Sequence, residues 1–249
     1  MIAIVSDIHS NLEALTAVLE EIDRRGIEDI LCLGDVVGYG PNPMECLDLV
    51  RKRCRVALMG NHDFAVLYEP YNFNSGAEQA CFWTRAQFEA DPDPVRRADR
   101  WRHLAGAPVR FKQDQLTAVH ASPRRPINEY IFPDDIYTNP GKFVAIFERF
   151  EHYCFVGHTH VPGVFLEGPD FFRPDEVNGR FELTDEKAII NVGSVGQPRD
   201  RDPRASFVVV GEGLVEFVRV AYDVETTVRK VEAIDELDNF LGARLKDGR

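Results

Sequence analysis

The sequence predicts an α/β protein in which parallel strands are covered by helices. Three observations carry that reading. First, three short apolar runs, Ile2–Val5, Ile30–Leu33 and Arg55–Leu58, have strand length and little polar alternation, as strands buried on both faces do. Second, the segments between them, Asn11–Arg25 and Pro43–Arg53, have helical length, and the first repeats its apolar residues with a helical period. Third, each run ends in residues that can do chemistry: Asp7-Ile8-His9, Gly34-Asp35, and Met59-Gly60-Asn61-His62-Asp63. Open α/β sheets hold their ligands at the carboxyl ends of their strands.

Taken in order, Met1–Ser6 reads as a buried strand. Asn11–Arg25 follows as an amphipathic helix with Leu12, Leu15, Val18, Leu19 and Ile22 on one face, ended by Gly26. Strand, helix and strand then repeat through Leu58. From Phe64 to Leu104 the strand pattern stops, and the segment is helical and rich in aromatic residues. Asp93-Pro94 makes a good helix start there, because the carboxylate caps free amides and proline fits the first turn. This insertion, about residues 64–106, is either a cap over the site or a helical layer packed on the sheet. Val109–Lys112 and Gln115–Val119 read as a hairpin, Ser122–Pro140 as a proline-rich loop, and Gly141–Phe150 as a helix. Strands are expected at Tyr153–Val156, Gly163–Leu166, Ala188–Val192, Ser206–Val210 and Val215–Ala221. Two helical segments fill 223–246. No internal repeat or low-complexity stretch appears, so residues 1–249 read as one domain.

Composition narrows the functions. The 249 residues are 44% hydrophobic in short runs, none long enough for a membrane span. Asp7 arrives before a signal-peptide apolar region could be completed, which places the chain in the cytoplasm. Five cysteines without a Cys-x-x-Cys pair read as reduced packing residues. A net charge of −12 would repel a polyanion and argues against nucleic-acid binding, a nuclease included. A small phosphate ester is still compatible with such a chain, because bound divalent cations dominate the local field.

Two further blocks, His120 and Gly157-His158-Thr159-His160, also end apolar runs. On an extended chain residues two apart point to one side, so Asp7 with His9, and His158 with His160, could each reach a single ion. Asp7, His9, Asp35, Asn61, His120, His158 and His160 together offer carboxylate, amide and imidazole without thiolate. That donor set favours Mn²⁺, Fe, Ni²⁺ or Zn²⁺ over calcium or a structural zinc. Seven donors exceed the needs of one ion. Two divalent ions about 3.5–4 Å apart, sharing a carboxylate, would use them all and would activate water against phosphorus. Any one block alone is an ordinary capped turn. The five blocks take five of the seven histidines.

The ordered string Asp-x-His, Gly-Asp, Gly-Asn-His-Asp, His, Gly-His-x-His resembles that of the calcineurin-like metallophosphoesterase superfamily. The tract from Asn191 to Asp200 resembles the closing motif of its bacterial small-phosphodiesterase branch. The resemblance implies a four-layer α/β/β/α sandwich. It also implies that Asp7, His9, Asp35 and His160 hold one ion, that Asp35 bridges, and that Asn61, His120 and His158 hold the second. His62 would be the acid facing the leaving group.

Two departures bear on the substrate. Where the superfamily's protein phosphatases and diadenosine tetraphosphatases carry a second Asp and an Arg after Gly-Asp, this chain has Gly38 and Tyr39. The Arg they place before Gly-Asn-His is Met59. The phosphate clamp and the carboxylate that orients His62 are therefore missing. Asp63 is the nearest carboxylate in sequence to take over the second task. Asn11, Arg124 and Arg199 are the candidate substrate contacts, with Arg125 as a further cation. The expected activity is hydrolysis of a small phosphodiester or phosphomonoester by a hydroxide held between the two ions. The alternative is an interaction module of the same fold that binds metal without turnover, as in the retromer subunit that resembles these enzymes. An intact His62 argues against it.

Overall fold

A computed structural model describes residues 1–249. The first half runs β1 (Ile2–Val5), α1 (Leu12–Arg24), β2 (Asp29–Cys32), α2 (Pro43–Arg53), β3 (Val56–Ala57), α3 (Asn61–Leu67), α4 (Ser75–Ala90) and α5 (Pro94–Ala105). The second half runs β4 (Phe111–Gln113), β5 (Leu116–Ala118), α6 (Asp135–Thr138), α7 (Pro140–Phe147), β6 (Tyr153–Val156), β7 (Gly163–Leu166), β8 (Phe171–Phe172), β9 (Arg180–Glu182), β10 (Ala188–Asn191), β11 (Ala205–Gly211), β12 (Leu214–Val220), α8 (Val224–Glu232) and α9 (Asn239–Ala243). A short 3₁₀ turn, Arg244–Asp247, closes the chain. No helix is long and apolar enough to cross a membrane.

The strands form two six-stranded sheets, ordered β3-β2-β1-β11-β12-β9 and β4-β5-β6-β10-β7-β8. Alternation along each strand separates three apolar layers. In β1, Ala3 and Val5 face α1 and α2, while Ile4 turns the other way to meet Leu31, Phe155 and Ile190 between the sheets. In β6, Tyr153 and Phe155 face that middle layer, while Cys154 and Val156 face Phe143, Ile146 and Phe147 of α7. Helices, sheet, sheet and helices thus stack as an α/β/β/α sandwich. The middle layer is apolar throughout because the strands are apolar on both faces.

The expected parallel order holds for β1, β2 and β3, and again for β5, β6 and β10. Both sheets are mixed, because the β11–β12 hairpin joins β1 antiparallel and β7 joins β10 antiparallel. The helices of the insertion join the outer layer: Cys81, Phe88 and Leu104 pack in the same cluster as α1 and α2. Ala80 and Trp83 of α4 meet Val231, Leu237 and Leu241 of the C-terminal segment. Three elements were not legible in sequence, namely α6, β8 and β9, each four residues or fewer.

Candidate metal centre

All six parallel strands end at one edge of the sandwich. There Asp7 and His9 follow β1, Asp35 follows β2, Asn61 follows β3, His120 follows β5, and His158 and His160 follow β6. Five of these residues take positive φ: Asp7 53°, His9 48°, Asp35 52°, His158 64° and His160 61°. The left-handed region costs a residue with a side chain roughly 1–3 kcal/mol, and such strain persists only where surrounding structure over-determines it. Here backbone bonds between loops do so. Asp7 N–H donates to Gly34 O at 3.0 Å, His9 N–H to Asp35 O at 2.9 Å, and Gly157 N–H to His120 O at 2.9 Å. The expectation of extended-chain geometry at these sites is thereby corrected. Asp7 and His9 do meet, but through a left-handed turn, and the same turn sends His158 and His160 to different partners.

The donor atoms converge in groups. His160 Nε2 lies 3.1 Å from Asp7 Oδ1 and 3.1 Å from His9 Nε2. His120 Nε2 lies 3.3 Å from Asp35 Oδ2 and 3.1 Å from Asn61 Oδ1. His9 Nε2 is 3.7 Å from Asp35 Oδ2, which ties the two halves together. Ligand atoms of Asp7, His9 and His160 form one compact set and those of Asp35, His120 and His158 another. Asp35 also falls in a third set with His9 and His62. Nothing else in the fold requires such crowding.

The imidazoles are aimed from behind. The Nδ1 atoms of His9, His120 and His160 sit against the carbonyls of Val37 at 3.3 Å, Leu33 at 3.2 Å and Gln197 at 2.6 Å. With the proton donated there, each Nε2 keeps its lone pair toward the centre, which is how metal-ligating histidines are held. His158 Nε2 is buried and has no hydrogen-bond partner. An orphaned buried nitrogen is costly, and paired Nε2 lone pairs repel. Cations between these atoms remove both costs, so the residues present fit divalent metal ions.

Electrostatics agree. Burial and the neighbouring His120 push His158 down to about 3, and burial holds His9 well below its ordinary range. These imidazoles are therefore neutral, as ligands must be. Burial opposes the Asp7 charge, yet His160 and His120 outweigh it and hold the carboxyl well down. Burial likewise lowers His120, but the Asp35 carboxylate raises it to about 9, so without a cation His120 carries a second proton on the nitrogen facing Asp35, which a bound ion would displace. The anionic pocket draws positive charge.

The pattern described as the calcineurin-like phosphoesterase superfamily domain matches residues 1–212. The chain belongs to that superfamily. An uncharacterized protein of Methanocaldococcus jannaschii is 39% identical over 259 residues, covering 100% of this chain and 98% of its own. A metallophosphoesterase from Sphaerobacter thermophilus is 37% identical, with a TM-score of 0.84 and 100% and 99% of the two chains covered. A Pyrococcus horikoshii OT3 protein at 19% identity shares the fold, with a TM-score of 0.75 and the same coverage. For a calcineurin-like phosphoesterase, a glycine at 157 is a spatial need. A Cβ there would overlap both Asp7 Oδ2 and Ser6 Oγ.

His62 sits beside this centre, 4% exposed, its ring 4.8 Å from that of His9 and packed on Tyr39 at 4.3 Å and Phe73 at 4.6 Å. Its Nδ1 faces Cys81 Sγ at 3.8 Å, and its N–H donates to Asp35 Oδ1 at 2.7 Å. Burial and the nearby Arg199, against the pull of Asp35, lower it to about 4. Asp63 does not support it. That carboxylate turns back to accept from Val36 N–H at 3.0 Å, Val37 N–H at 3.2 Å and Gly60 N–H at 3.1 Å, which pins the loops after β2 and β3.

The three candidate substrate contacts separate. Asn11 is spent on structure: its Oδ1 caps α1 at Ala14 N–H, 3.1 Å, and accepts from Thr227, while its Nδ2 donates to Gly196 O and Tyr222 Oη. Arg124 is bound to Glu129, 3.1 Å from Nε to Oε1, and Arg125 stands exposed. Arg199 has no carboxylate partner. It donates to Gln197 Oε1 at 2.6 Å, and its guanidinium lies 5.9 Å from the Tyr39 ring that packs on His62. Tyr39 and Tyr130, the latter stacked on His158 at 4.0 Å, were not singled out by the sequence reading. Tyr39 was visible only as the replacement of an arginine. The tract from Asn191 to Asp200 now has a role: Asn191 holds Gly157 O and Thr159, Ser194 holds Asp7 O, and Gln197 aims His160.

Proposed function

We propose that the chain is a two-metal phosphoesterase acting on a small phosphate ester. The observation that carries this reading is the convergence of buried donors on two groups joined by Asp35, beside one buried histidine that neither group needs. Asp7, His9, Asp35 and His160 would hold one ion, with Asn61, His120, His158 and the shared Asp35 holding the other. Mn²⁺, Fe, Ni²⁺ and Zn²⁺ all suit these donors. When bound, the ions supply Lewis acidity and an activated water at neutral pH. The remaining work falls to side chains. His62 would deliver a proton to the departing oxygen, a role that contributes about 10²–10⁴-fold where it operates; because burial and Arg199 lower it to about 4, it must take up that proton together with the ester, whose negative charge raises it. Tyr39 and Cys81 hold its ring in place of the missing carboxylate. Arg199, which has no carboxylate partner and lies over the Tyr39 ring, would take a non-bridging phosphoryl oxygen. Phosphodiesters and phosphomonoesters are both within this chemistry. The reading treats the sandwich, the 64–106 insertion and the C-terminal helices as one cytoplasmic domain. Its support is that the five cysteines are unpaired and four of them buried. Elemental analysis together with parallel assays on 4-nitrophenyl phosphate and bis(4-nitrophenyl) phosphate tests it. Absence of bound transition metal, or of turnover on both esters after metal loading, would overturn it.

A further inference from the structure

Beside the candidate metal centre runs a cleft of about 790 Å³, of whose lining the roles above use only Arg199. It begins where the site ends, since Val161 and Pro162, immediately after His160, line its wall, and so does Arg199. Two of its features differ from the rest of the surface. The first is charge. The cleft is lined by five arginines and four aspartates, in a chain whose net charge is −12. Arg204 pairs with Asp202 and Arg219 with Asp200, which leaves Arg173, Arg199 and Arg201 without a carboxylate partner. Unpaired guanidinium groups in a concave wall are suited to a phosphate or carboxylate held by two parallel bonds. The second feature is aromatic. Phe132, on the cleft wall, stacks on Tyr130 with ring planes 9° apart, and Tyr130 stacks in turn on His158. One face of the Phe132 ring is covered by this ladder, yet the side chain stays 46% exposed. An exposed ring fixed from behind is a platform for another planar ring.

Building on the phosphoesterase reading, we propose that this cleft is a subsite for the second half of the substrate. It would take a phosphate ester that carries a planar heteroaromatic ring and a further anionic group, which makes a nucleoside bisphosphate-like ester the fitting class. The reacting phosphate would lie at the metal centre next to Arg199. The second anion would lie against Arg173 and Arg201, and the ring on Phe132.

The test uses the full chain and adenosine 3′,5′-bisphosphate as probe. Its dissociation constant is measured by equilibrium dialysis on metal-loaded protein at 4 °C, with chromatography confirming that the probe is recovered intact, for wild type, Phe132→Ala and the double variant Arg173→Ala/Arg201→Ala. All three altered side chains are at least partly exposed, and circular dichroism checks that the variants fold. Aromatic–base stacking is worth about 1–3 kcal/mol, so Phe132→Ala is expected to weaken binding by about 5- to 150-fold. The double variant should weaken it by a similar factor and make the remaining binding less sensitive to salt. On metal-loaded protein, KM for 4-nitrophenyl esters should stay within about twofold in both variants, because such esters end at the metal centre. The proposal is overturned if wild type does not bind the probe, if neither variant weakens binding, or if nitrophenyl KM rises as much as the probe's dissociation constant. Wild type that binds the probe but hydrolyses no ester would sink the phosphoesterase reading instead, so the two failures are distinct.

Discussion

Asp35 is the residue whose removal should cost the most metal, and the size of the effect follows from its position. Its Oδ2 lies 3.7 Å from His9 Nε2 and 3.3 Å from His120 Nε2, and it belongs to two of the three compact donor sets. Asp35→Asn keeps the oxygen that accepts the His62 N–H, so the loop after β3 retains its anchor. What is lost is one negative charge shared between both groups of donors. Each proposed ion then keeps three neutral or singly charged partners of four. Even outer-shell changes lower metal affinity about 10- to 100-fold, and loss of a shared carboxylate should exceed that at both positions. His120→Ala touches only one position and leaves Asp7, His9, Asp35 and His160 intact. After dialysis against metal at a concentration that just saturates wild type, elemental analysis should find about two ions in wild type and about one in His120→Ala. Asp35→Asn should retain well under one. Equal stoichiometry in the two variants would refute the bridging role, and thermal melts of the metal-free proteins would exclude unfolding as the cause.

Four further outcomes are expected. His62→Ala should keep full metal content and lose about 10²–10⁴-fold in kcat on alkyl esters but little on nitrophenyl esters, whose leaving group needs no proton; equal losses would assign His62 a binding role. Gly38→Ala should act like His62→Ala without touching a ligand, because a Cβ at that position, where φ is 89°, would overlap His62 Nδ1; unchanged kcat would show that the ring has room to shift. Phe155→Ala, in the layer between the sheets, should destabilise the fold by about 3–5 kcal/mol in denaturant titrations, and a loss under about 1 kcal/mol would mean that the layer collapses onto the gap. The Glu129 carboxyl resists burial and is held below its ordinary 4.5 by Arg124 and Ser122. A depressed folded value gives stability above the unfolded value that is lost as pH falls through the folded one. Loop opening at 122–130, read from amide exchange after correction for the intrinsic rate at each pH, should therefore rise on acidification below pH 4.5, and Arg124→Ala should bring that rise to higher pH; an unshifted profile would remove the ion pair from the account.

Much of this was legible because it obeys local rules. The strands β6 and β7 carry no polar residue that could place them elsewhere, and their limits, Tyr153–Val156 and Gly163–Leu166, coincide with the apolar runs. The α5 start follows from Asp93-Pro94, and α1, Leu12–Arg24, falls within the expected 11–25, with Asn11 outside it as the cap. The donors were legible because each stands directly after an apolar strand. What was hidden depends on partners far away in sequence. Asn11 carried no sign that its amide would be consumed by Gly196 and Tyr222, 185 and 211 residues on. Asp63 is next to His62 in sequence, yet α3 begins at Asn61, and the first-turn carboxylate folds back onto free amides of the β2 and β3 loops. Its preference for capping wins over a contact with the neighbouring ring. The mixed character of the sheets was hidden too, because strand direction is decided by which edge β11 and β7 find, and no single segment records that.

The fold divides its labour between a rigid layer and a strained edge. Strain collects at the carboxyl edge, in Asp7, His9, Asp35, His158 and His160, whose left-handed backbones no isolated loop would hold. They are held because the rigid layer between the sheets fixes where β1, β2, β5 and β6 end, and because carbonyls of Val37, Leu33 and Gln197 fix which way three imidazoles turn. None of these restraints involves a substrate. None of Gly38, Tyr39, Tyr130, Phe132 and Arg199 belongs to the middle layer. Substitutions there should leave the two donor groups in place. The sandwich thus builds its donor edge from strand ends held by the core and its outer walls from loops, so the side chains of Tyr39, Tyr130 and Arg199 stand beside Asp35 and its partners without taking part in holding them.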